Sequence, residues 1–452
     1  MKLNEILGLN ARTHIYSYKY NTSRAKTIAS SKIRTKRILA EGGVPVPEIY
    51  AKFKKTQDVY KFDWGSLPNA FALKPNKGLG GEGIIIVKKR FQQSPQDKHD
   101  GKHESVSWIT TQKKKVTVDD LKLHILDILE GAYSIGNVPD IAYIEEYVGR
   151  HKAFRKYAYR GTPDIRIIVF NKVPVMAMLR LPTKESGGRA NLHQGAIATG
   201  VDIATGITTK AYWHGDYIHF KPGTKRKLHG IKIPNWTKIL KVAVDCQVVT
   251  KIGYLGADIV MHPEKGPMVL ELNYQPGLSI QLANGSGLRR RLERVEDLEV
   301  RDAEHGVKIG KALFVSRFAD RVKAEEGVQT VRIFETIKIK AFDGKKVKVA
   351  AKIDTGAWRT SISEKLAQDL GLLAESNVLW KKSVRSSLGR EERPVINLTF
   401  WLAERKITTP ASVAKRSALK FPVIIGRKNL KGILVDPEMT AEEKRETVKK
   451  AG

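Results

Sequence analysis

Two carboxylates and an amide are spaced so that they can share a cation. Asp258 interrupts the apolar run LGADIV (255–260), and Glu271 and Asn273 lie two apart in VLELNYQPG (269–277). The stretch between them, HPEKGP (262–267), is short, so the two runs are expected to pair as a hairpin. Side chains at i and i+2 of a strand share a face, so Glu271 and Asn273 point one way and Asp258 can join them from the neighbouring strand. Hard oxygen donors of this kind suit Mg²⁺, which keeps part of its water and bridges to phosphates. The plain alternative is a solvated polar face. The flanking Val, Leu, Ile and Ala argue against it, because here the charges interrupt a core pattern.

A second group answers the first. FALKPNKGLGGEGIIIV (71–87) places Lys74 at a strand end, followed by Gly78, Gly80, Gly81 and Gly83. Glycines let the backbone approach phosphate oxygens and take positive φ. Successive N–H groups then form an anion nest, and a nearby lysine adds a point charge. A β-run follows the loop, so this is neither a Walker A motif nor a dinucleotide turn opening a helix. A bare hairpin is the alternative. Coupling to the Asp258, Glu271 and Asn273 trio favours phosphate.

The elements that must position these groups follow from periodicity. Residues 30–39 read as a basic helix closed by Gly42-Gly43, and 70–89 as strand, Gly-rich loop, strand. Residues 91–116 are polar and Lys-rich, a mobile hairpin or loop. Asp119 or Asp120 can cap a helix reaching Glu130. A strand is expected at 142–148 and a hairpin over 164–171 and 173–181, turning at Asn171-Lys172. A helix is expected at about 235–252 and a charged connecting helix at about 304–323. Near residue 328 the texture changes to period two, with Asp343-Gly344 as a tight hairpin turn, further short strands at 394–403, 406–413 and 421–425, and a charged helical tail. The expected organisation is therefore an α/β (α+β) domain over 1–300, a helical linker over 301–328, a small mostly-β domain over 329–437 and a tail over 438–452.

Composition bounds the setting. A chain of 452 residues with 41% hydrophobic content carries two to three cored domains. One cysteine, Cys246, excludes an intramolecular disulfide framework and fits a reducing compartment. The polar N-terminus and the lack of a run of about 20 apolar residues give no signal peptide and no membrane span, so a cytoplasmic location is expected. Net charge is +33, and residues 1–60 hold 12 Lys/Arg against 4 Asp/Glu. Such a field attracts polyanions. The basic residues are scattered and lack the aromatic interleaving of a stacking platform, which leaves a nucleic-acid partner open but unspecific.

Together these motifs resemble the ATP-grasp superfamily, and within it the α-L-glutamate ligase-like group related to ribosomal-protein glutamate ligases, over about residues 5–295. SSKIRTKRILAEGGVPVPE (30–48) looks like the segment carrying the first nucleotide lysine, here Lys32; Lys74 is similar to the second, and the glycines to the loop over the phosphates. AYIEEYV (142–148) resembles the adenine hinge. The resemblance implies that Glu145 accepts from the adenine amino group, Glu146 and Val148 meet the base through backbone, and Tyr147 packs there. DIR (164–166), Arg180 and GGRANLHQGA (187–196) match the substrate and phosphate segment. There Asp164 would belong to the nucleotide site, Arg166, Arg180 and Asn191 would face an acyl phosphate, and His193 lies nearby. Asp258, Glu271 and Asn273 match a site for two Mg²⁺, with Mn²⁺ able to substitute. Ser31 stands where the group has an acid, and only about 30 residues of the usual preceding domain are present.

In the second part, Asp354-Thr355-Gly356 ends an alternating strand in KIDTGAWRTSI (352–362), and Ile424-Ile425-Gly426, followed by Arg427, lies in FPVIIGRKNLKGILVD (421–436). Together they resemble the retropepsin-like aspartic peptidases, in particular the group labelled ATP-dependent zinc protease, over about 331–437, with VRSSLG (384–389) where a flap would be. All eleven histidines lie at or before His305, so the β part lacks the imidazole and thiolate ligands of zinc sites and no zinc is expected. An aspartic mechanism needs two carboxylates sharing a proton, so activity would require a homodimer pairing two copies of Asp354. An inactive β module is the alternative.

These readings imply an ATP-dependent carboxylate–amine ligase that works through an acyl phosphate on an amino acid or an acidic peptide or protein. Glutamate is the amine that the resemblance implies. The rivals are a peptidase with a regulatory nucleotide domain and a basic nucleic-acid-associated protein.

Overall fold

The computed structural model describes residues 3–78, 80–91, 106–314, 329–386, 389–403, 405–415, 421–431 and 433–436. Its chain forms two compact units, Met1–Val201 with Gly206–Glu296, and Asp202–Thr205 with Asp297–Gly452.

The first unit holds two antiparallel sheets. One is made of β1 (Ile49–Phe53), β2 (Phe71–Pro75), β3 (Ile85–Arg90), β4 (Ser107–Thr110), β5 (Lys115–Thr117) and β6 (Ala142–Glu146), in the order β1-β6-β2-β3-β4-β5. Its core joins Phe71, Leu73, Val87 and Trp108 to Leu121, Ile125 and Ile128 of the helix Val118–Glu130. Spacings of four and three keep those three residues on one helix face. The cap expected at Asp119 or Asp120 is instead Thr117, whose hydroxyl accepts from Asp120 N–H while the Asp120 carboxylate reaches back to Thr117 N–H. Asp120 is thus the third helical residue of a capping box. Of the Lys-rich stretch, 106–117 forms the β4–β5 hairpin; residues 92–105 lie outside the described residues.

The second sheet contains β7 (Asp164–Phe170), β8 (Val173–Leu181), β9 (Ile197–Val201), β10 (Thr208–Trp213), β11 (Asp216–Ile218), β12 (Tyr254–His262) and β13 (Gly266–Asn273), in the order β11-β10-β9-β8-β7-β12-β13. Both expected hairpins form. β7 turns into β8 through Asn171 and Lys172, with φ of 49° and 58°, the paired left-handed geometry of a type I′ turn. β8 is buried at every position, and the helix Trp236–Thr250 packs on β7, β8, β12 and β13. Among the described residues no helix is long and apolar enough to cross a membrane.

The second unit is a closed barrel. Its strands are β14 (Gln329–Arg332), β15 (Phe334–Lys340), β16 (Lys346–Asp354), β17 (Ser361–Ser363), β18 (Val378–Ser386), β19 (Gly389–Leu402), β20 (Arg405–Ala414), β21 (Val423–Gly426) and β22 (Ile433–Asp436). They run β15-β16-β21-β17-β20-β19, closed by β15–β19 pairing, with β18 hanging on β19 and a separate parallel pair β14–β22. Ile337, Ile339, Ile353, Leu398, Phe400 and Ile425 fill the interior. Of the helix expected over 304–323, Ala303–Leu313 is described, and it packs on β18 and β20, where the His305 Nε2–H donates to Leu379 O at 3.1 Å. Residues 315–328 and the tail 438–452 lie outside the described residues.

Candidate active site

A cleft of about 1150 Å³ in the first unit is lined from both sheets. One wall carries the acids. Asp258 on β12 stands directly opposite Glu271 on β13, and Gly256 opposite Asn273. A bulge just before Glu271 breaks the register between the pairs Asp258–Glu271 and Ile259–Val269, leaving Leu270 as the extra residue. The three side chains therefore share a face, as the hairpin predicts. Asn273 Nδ2 donates to Asp258 Oδ2 at 3.4 Å.

Two arginines complete this wall. β7 lies on the other side of β12, so Arg166 faces Asp258 across the strands. Its Nε and a terminal nitrogen donate to the two Asp258 oxygens at 2.7 and 2.6 Å. Asp164 faces Arg180 across β7 and β8 and accepts from it at 2.5 and 2.6 Å; Arg180 also lies 2.9 Å from Asp258. The local Asp164–Arg166 pairing that sequence spacing allows is thus replaced by two cross-strand pairs. Burial raises the Asp258 carboxyl, but the guanidiniums of Arg166 and Arg180 win and hold it well below the usual carboxylate range. Asp164 goes the other way, to about 6, because burial and the neighbouring Asp258 charge outweigh Arg180.

The opposite wall carries the cations and glycines. Lys32 opens the helix Lys32–Glu41, which Ser31 caps by accepting from Arg34 N–H at 3.3 Å. Ser31 also donates to Asn76 Oδ1 at 3.0 Å. Lys32 Nζ donates to Gly78 O at 2.7 Å, and burial lowers its pKa. Gly80, Gly81 and Gly83 have φ of 63°, 82° and 66°. Asn191 Nδ2 donates to Gly80 O at 3.3 Å, so the segment 187–196 is tied to the loop, and His193 lines the same cleft. The loop's far end is fixed by the His124 Nε2–H on Gly83 O at 2.8 Å. A Cβ on Gly83 would meet the Tyr133 ring at 2.5 Å. Gly83→Ala is therefore expected to lower stability by on the order of 2 kcal/mol, read as a lowered thermal midpoint.

On β6, Glu145 is 1% exposed and its carboxylate holds two lysines, with Oε1 2.5 Å from Lys74 Nζ and Oε2 3.0 Å from Lys36 Nζ. Burial would raise Glu145, yet Lys36 and Lys74 bring it below its ordinary value. Lys36 is a site residue that the sequence motifs did not single out. The signal was there, since it lies four residues after Lys32 on the same helix face. Glu146 turns to Lys265 and His262. Val148 packs with Val260, Met268 and Leu270 as an apolar patch, and Val148, Val260 and Leu270 line the cleft beside Tyr147.

The donor set meets the demands of Mg²⁺ in part. Glu271 is 37% exposed and, like the Asn273 amide, faces the cleft with hard oxygens, so these two fit. Asp258 fits in chemistry, but its side chain is 2% exposed and serves two guanidiniums, one of which must withdraw before a cation can take it. Among the described residues no group of three or more His, Cys, Asp and Glu side chains could hold a metal.

In the second unit Asp354 ends β16 beside Gly426 of β21. Its Oδ1 accepts from Gly356 and Ala357 N–H at 2.9 and 3.0 Å. Arg427 N–H donates to Ala357 O at 2.8 Å, and a Cβ on Gly426 would lie 2.5 Å from the Arg359 carbonyl carbon. The Asp-Thr-Gly turn and the Ile-Ile-Gly element therefore meet. β18 and β19 pair down to Ser386 and Gly389 at the expected flap, whose residues 387–388 lie outside the described residues.

Two antiparallel sheets that enclose a lysine- and glycine-rich loop on one side and paired acids on the other define an ATP-grasp domain, and the barrel is retropepsin-like. The chain belongs to the family described as sugar-transfer associated ATP-grasp, whose model matches residues 11–297. A second model, the retropepsin-like aspartic endopeptidase RimB, matches residues 364–446 and so begins after Asp354. No curated protein matches the chain. Similar solved structures include D-alanine–D-alanine ligase from Bacillus anthracis with ATP (15% identity, 68% of this chain and 72% of that one, TM-score 0.32). They also include the ATP-grasp ligase PsnB with a minimal precursor (14%, 62% and 63%, 0.31) and a protein of unknown function from Legionella pneumophila (18%, 25% and 97%, 0.18).

Proposed function

We propose that the first unit is an ATP-dependent carboxylate–amine ligase forming an amide through an acyl phosphate. The observation that carries this reading is the chain of charges Asp164, Arg180, Asp258, Arg166 and Glu271, facing Lys32, Lys74 and the glycine loop across one cleft. The apolar patch of Val148, Val260 and Leu270 takes the base. The backbone N–H groups around Gly80 and Gly81, with Lys32 and Lys74, hold the phosphates. Mg²⁺ (two ions, by resemblance) held by Glu271 and Asn273, and by Asp258 once released, would supply charge neutralisation. Arg166 and Arg180 stabilise charge on the transferring group, and Asn191 keeps the loop closed over it. An amino acid or acidic peptide is the substrate class and glutamate the first amine to try; the family is described as associated with sugar transfer.

The test is phosphate release with Mg·ATP across that panel, with mass spectrometry of the products. A new amide matched to phosphate is expected, with turnover down by about 10²-fold or more in Lys74→Ala and Glu271→Ala. ATP turnover that survives both substitutions sinks the site assignment. For the barrel, we propose an aspartic peptidase active only as a homodimer pairing two Asp354 carboxyls. Cleavage abolished by Asp354→Asn and falling with dilution is expected; cleavage by a monomer rules it out.

A further inference from the structure

The outer face of the barrel brings together residues that are far apart in the sequence. Lys348 pairs with Lys338 across β16 and β15, Lys338 with Trp401 across β15 and β19, and Trp401 with Lys406 across β19 and β20. Directly paired residues point to one side, so these four form a row across four strands. In the adjacent row Lys346 pairs with Lys340, and the Lys346 ammonium lies over the Trp401 ring at 4.5 Å. Lys338, Lys340, Lys346, Lys348 and Lys406 are exposed. Among the described residues none of them makes an ion pair. Among the described residues the neighbouring outward positions in these rows are threonine or alanine and none is acidic; Glu404 lies outside the described residues.

This arrangement is unfavourable for the barrel by itself. Two like-charged pairs stand directly opposite each other, which destabilises a sheet, and among the described residues no carboxylate pairs with them. A bound polyanion would. Lysines two apart along a strand are about 6.8 Å apart, a spacing that suits successive charges of an extended chain. An acidic peptide would satisfy the lysines alone. A nucleic-acid strand would satisfy them and also give Trp401 a base to stack on, once Lys346 swings from the ring to a phosphate. The scattered basic residues of the sequence thus acquire in the fold the aromatic interleaving that they lack along the chain.

We propose that this face is a binding platform for single-stranded nucleic acid, with Lys338, Lys340, Lys346 and Lys348 on the phosphates and Trp401 under a base. It does not rest on the ligase reading. The test is fluorescence anisotropy of a labelled oligouridylate with the full chain across a salt series. Changing the four lysines to serine is expected to lower the slope of log affinity against log salt by about 3, at about 0.7 for each phosphate no longer neutralised. Changing them to arginine restores it. The serine variant relieves the like-charge pairs and gives up the Lys346–Trp401 contact, so its thermal midpoint stays close to the parent's. Trp401→Leu keeps the slope and weakens binding at least about five-fold. Two results would overturn the proposal. One is an oligouridylate affinity and slope unchanged in both the serine and leucine variants. The other is displacement by polyglutamate with Trp401→Leu without effect, which would make the face an acidic-peptide site.

Discussion

Asp258→Ala is expected to cost about 3–5 kcal/mol of folding stability as well as ATP turnover, whereas Glu271→Ala abolishes turnover at a cost of under about 1 kcal/mol. The two acids stand opposite each other, yet their surroundings differ. Asp258 is enclosed by Arg166 at 2.6 Å and Arg180 at 2.9 Å. Without it, Arg180 keeps Asp164, but Arg166 is left with Glu271 at 4.0 Å and little water. Glu271 is open to the cleft, so its removal strands nothing. Denaturant unfolding beside an ATP assay separates the two effects, and equal midpoints for both variants would remove the structural role given to Asp258. The pH dependence has opposite signs for the two buried acids. Asp258 titrates below its ordinary 3.8, so its contribution is intact above that pH and is lost only as pH falls through the lower folded value. Asp164 titrates near 6 in the folded chain against 3.8 unfolded, so stability falls as pH rises between those values. In Asp258→Asn the charge raising Asp164 is gone, and that slope is expected to shift toward lower pH.

The legible parts of this chain were those fixed by local chemistry. Asn171-Lys172 and the stretch after His262 announce tight turns, and once a hairpin is given, the strand period puts Asp258, Glu271 and Asn273 on one face. Gly80, Gly81 and Gly83 declare a loop that other residues could not form cheaply. Partners set by sheet order were not legible. Nothing in the spacing of DIR says that β12 will lie beside β7, so the bond from Arg166 to Asp258, ninety-two residues on, could not be chosen over the nearer Asp164. The same holds for Thr117, where a threonine and two aspartates compete for one helix end and the backbone decides. It holds for the barrel face too, because Lys338 and Trp401 meet only through the closure of β15 on β19.

Glu145→Gln is expected to destabilise the first unit by about 3–5 kcal/mol, and adding Lys36→Met is expected to recover most of that loss while leaving ATP binding impaired. Lys36 is 2% exposed, and among the described residues its ion-pair partner is Glu145 Oε2 at 3.0 Å, with a smaller contribution from Glu271. Burial already lowers its pKa despite that partner. With the carboxylate gone, the ammonium must deprotonate or draw in water, and Lys74 loses its anchor at the same time. Methionine removes the first problem, because a buried pair replaced by apolar groups of similar size is often neutral or stabilising. It does nothing for the second. The double variant should therefore unfold near the parent and still show a KM for ATP raised about ten-fold or more, a split that a purely structural role for Glu145 would not give. Because the Glu145 pKa lies below its ordinary 4.5, the parent keeps this contribution above that pH and loses it on acidification, and the double variant should lack that acid limb. If the single Glu145→Gln variant unfolds with the parent and binds ATP as tightly, then Glu145 is not what holds Lys74. The lysine would then have to be positioned by the loop itself.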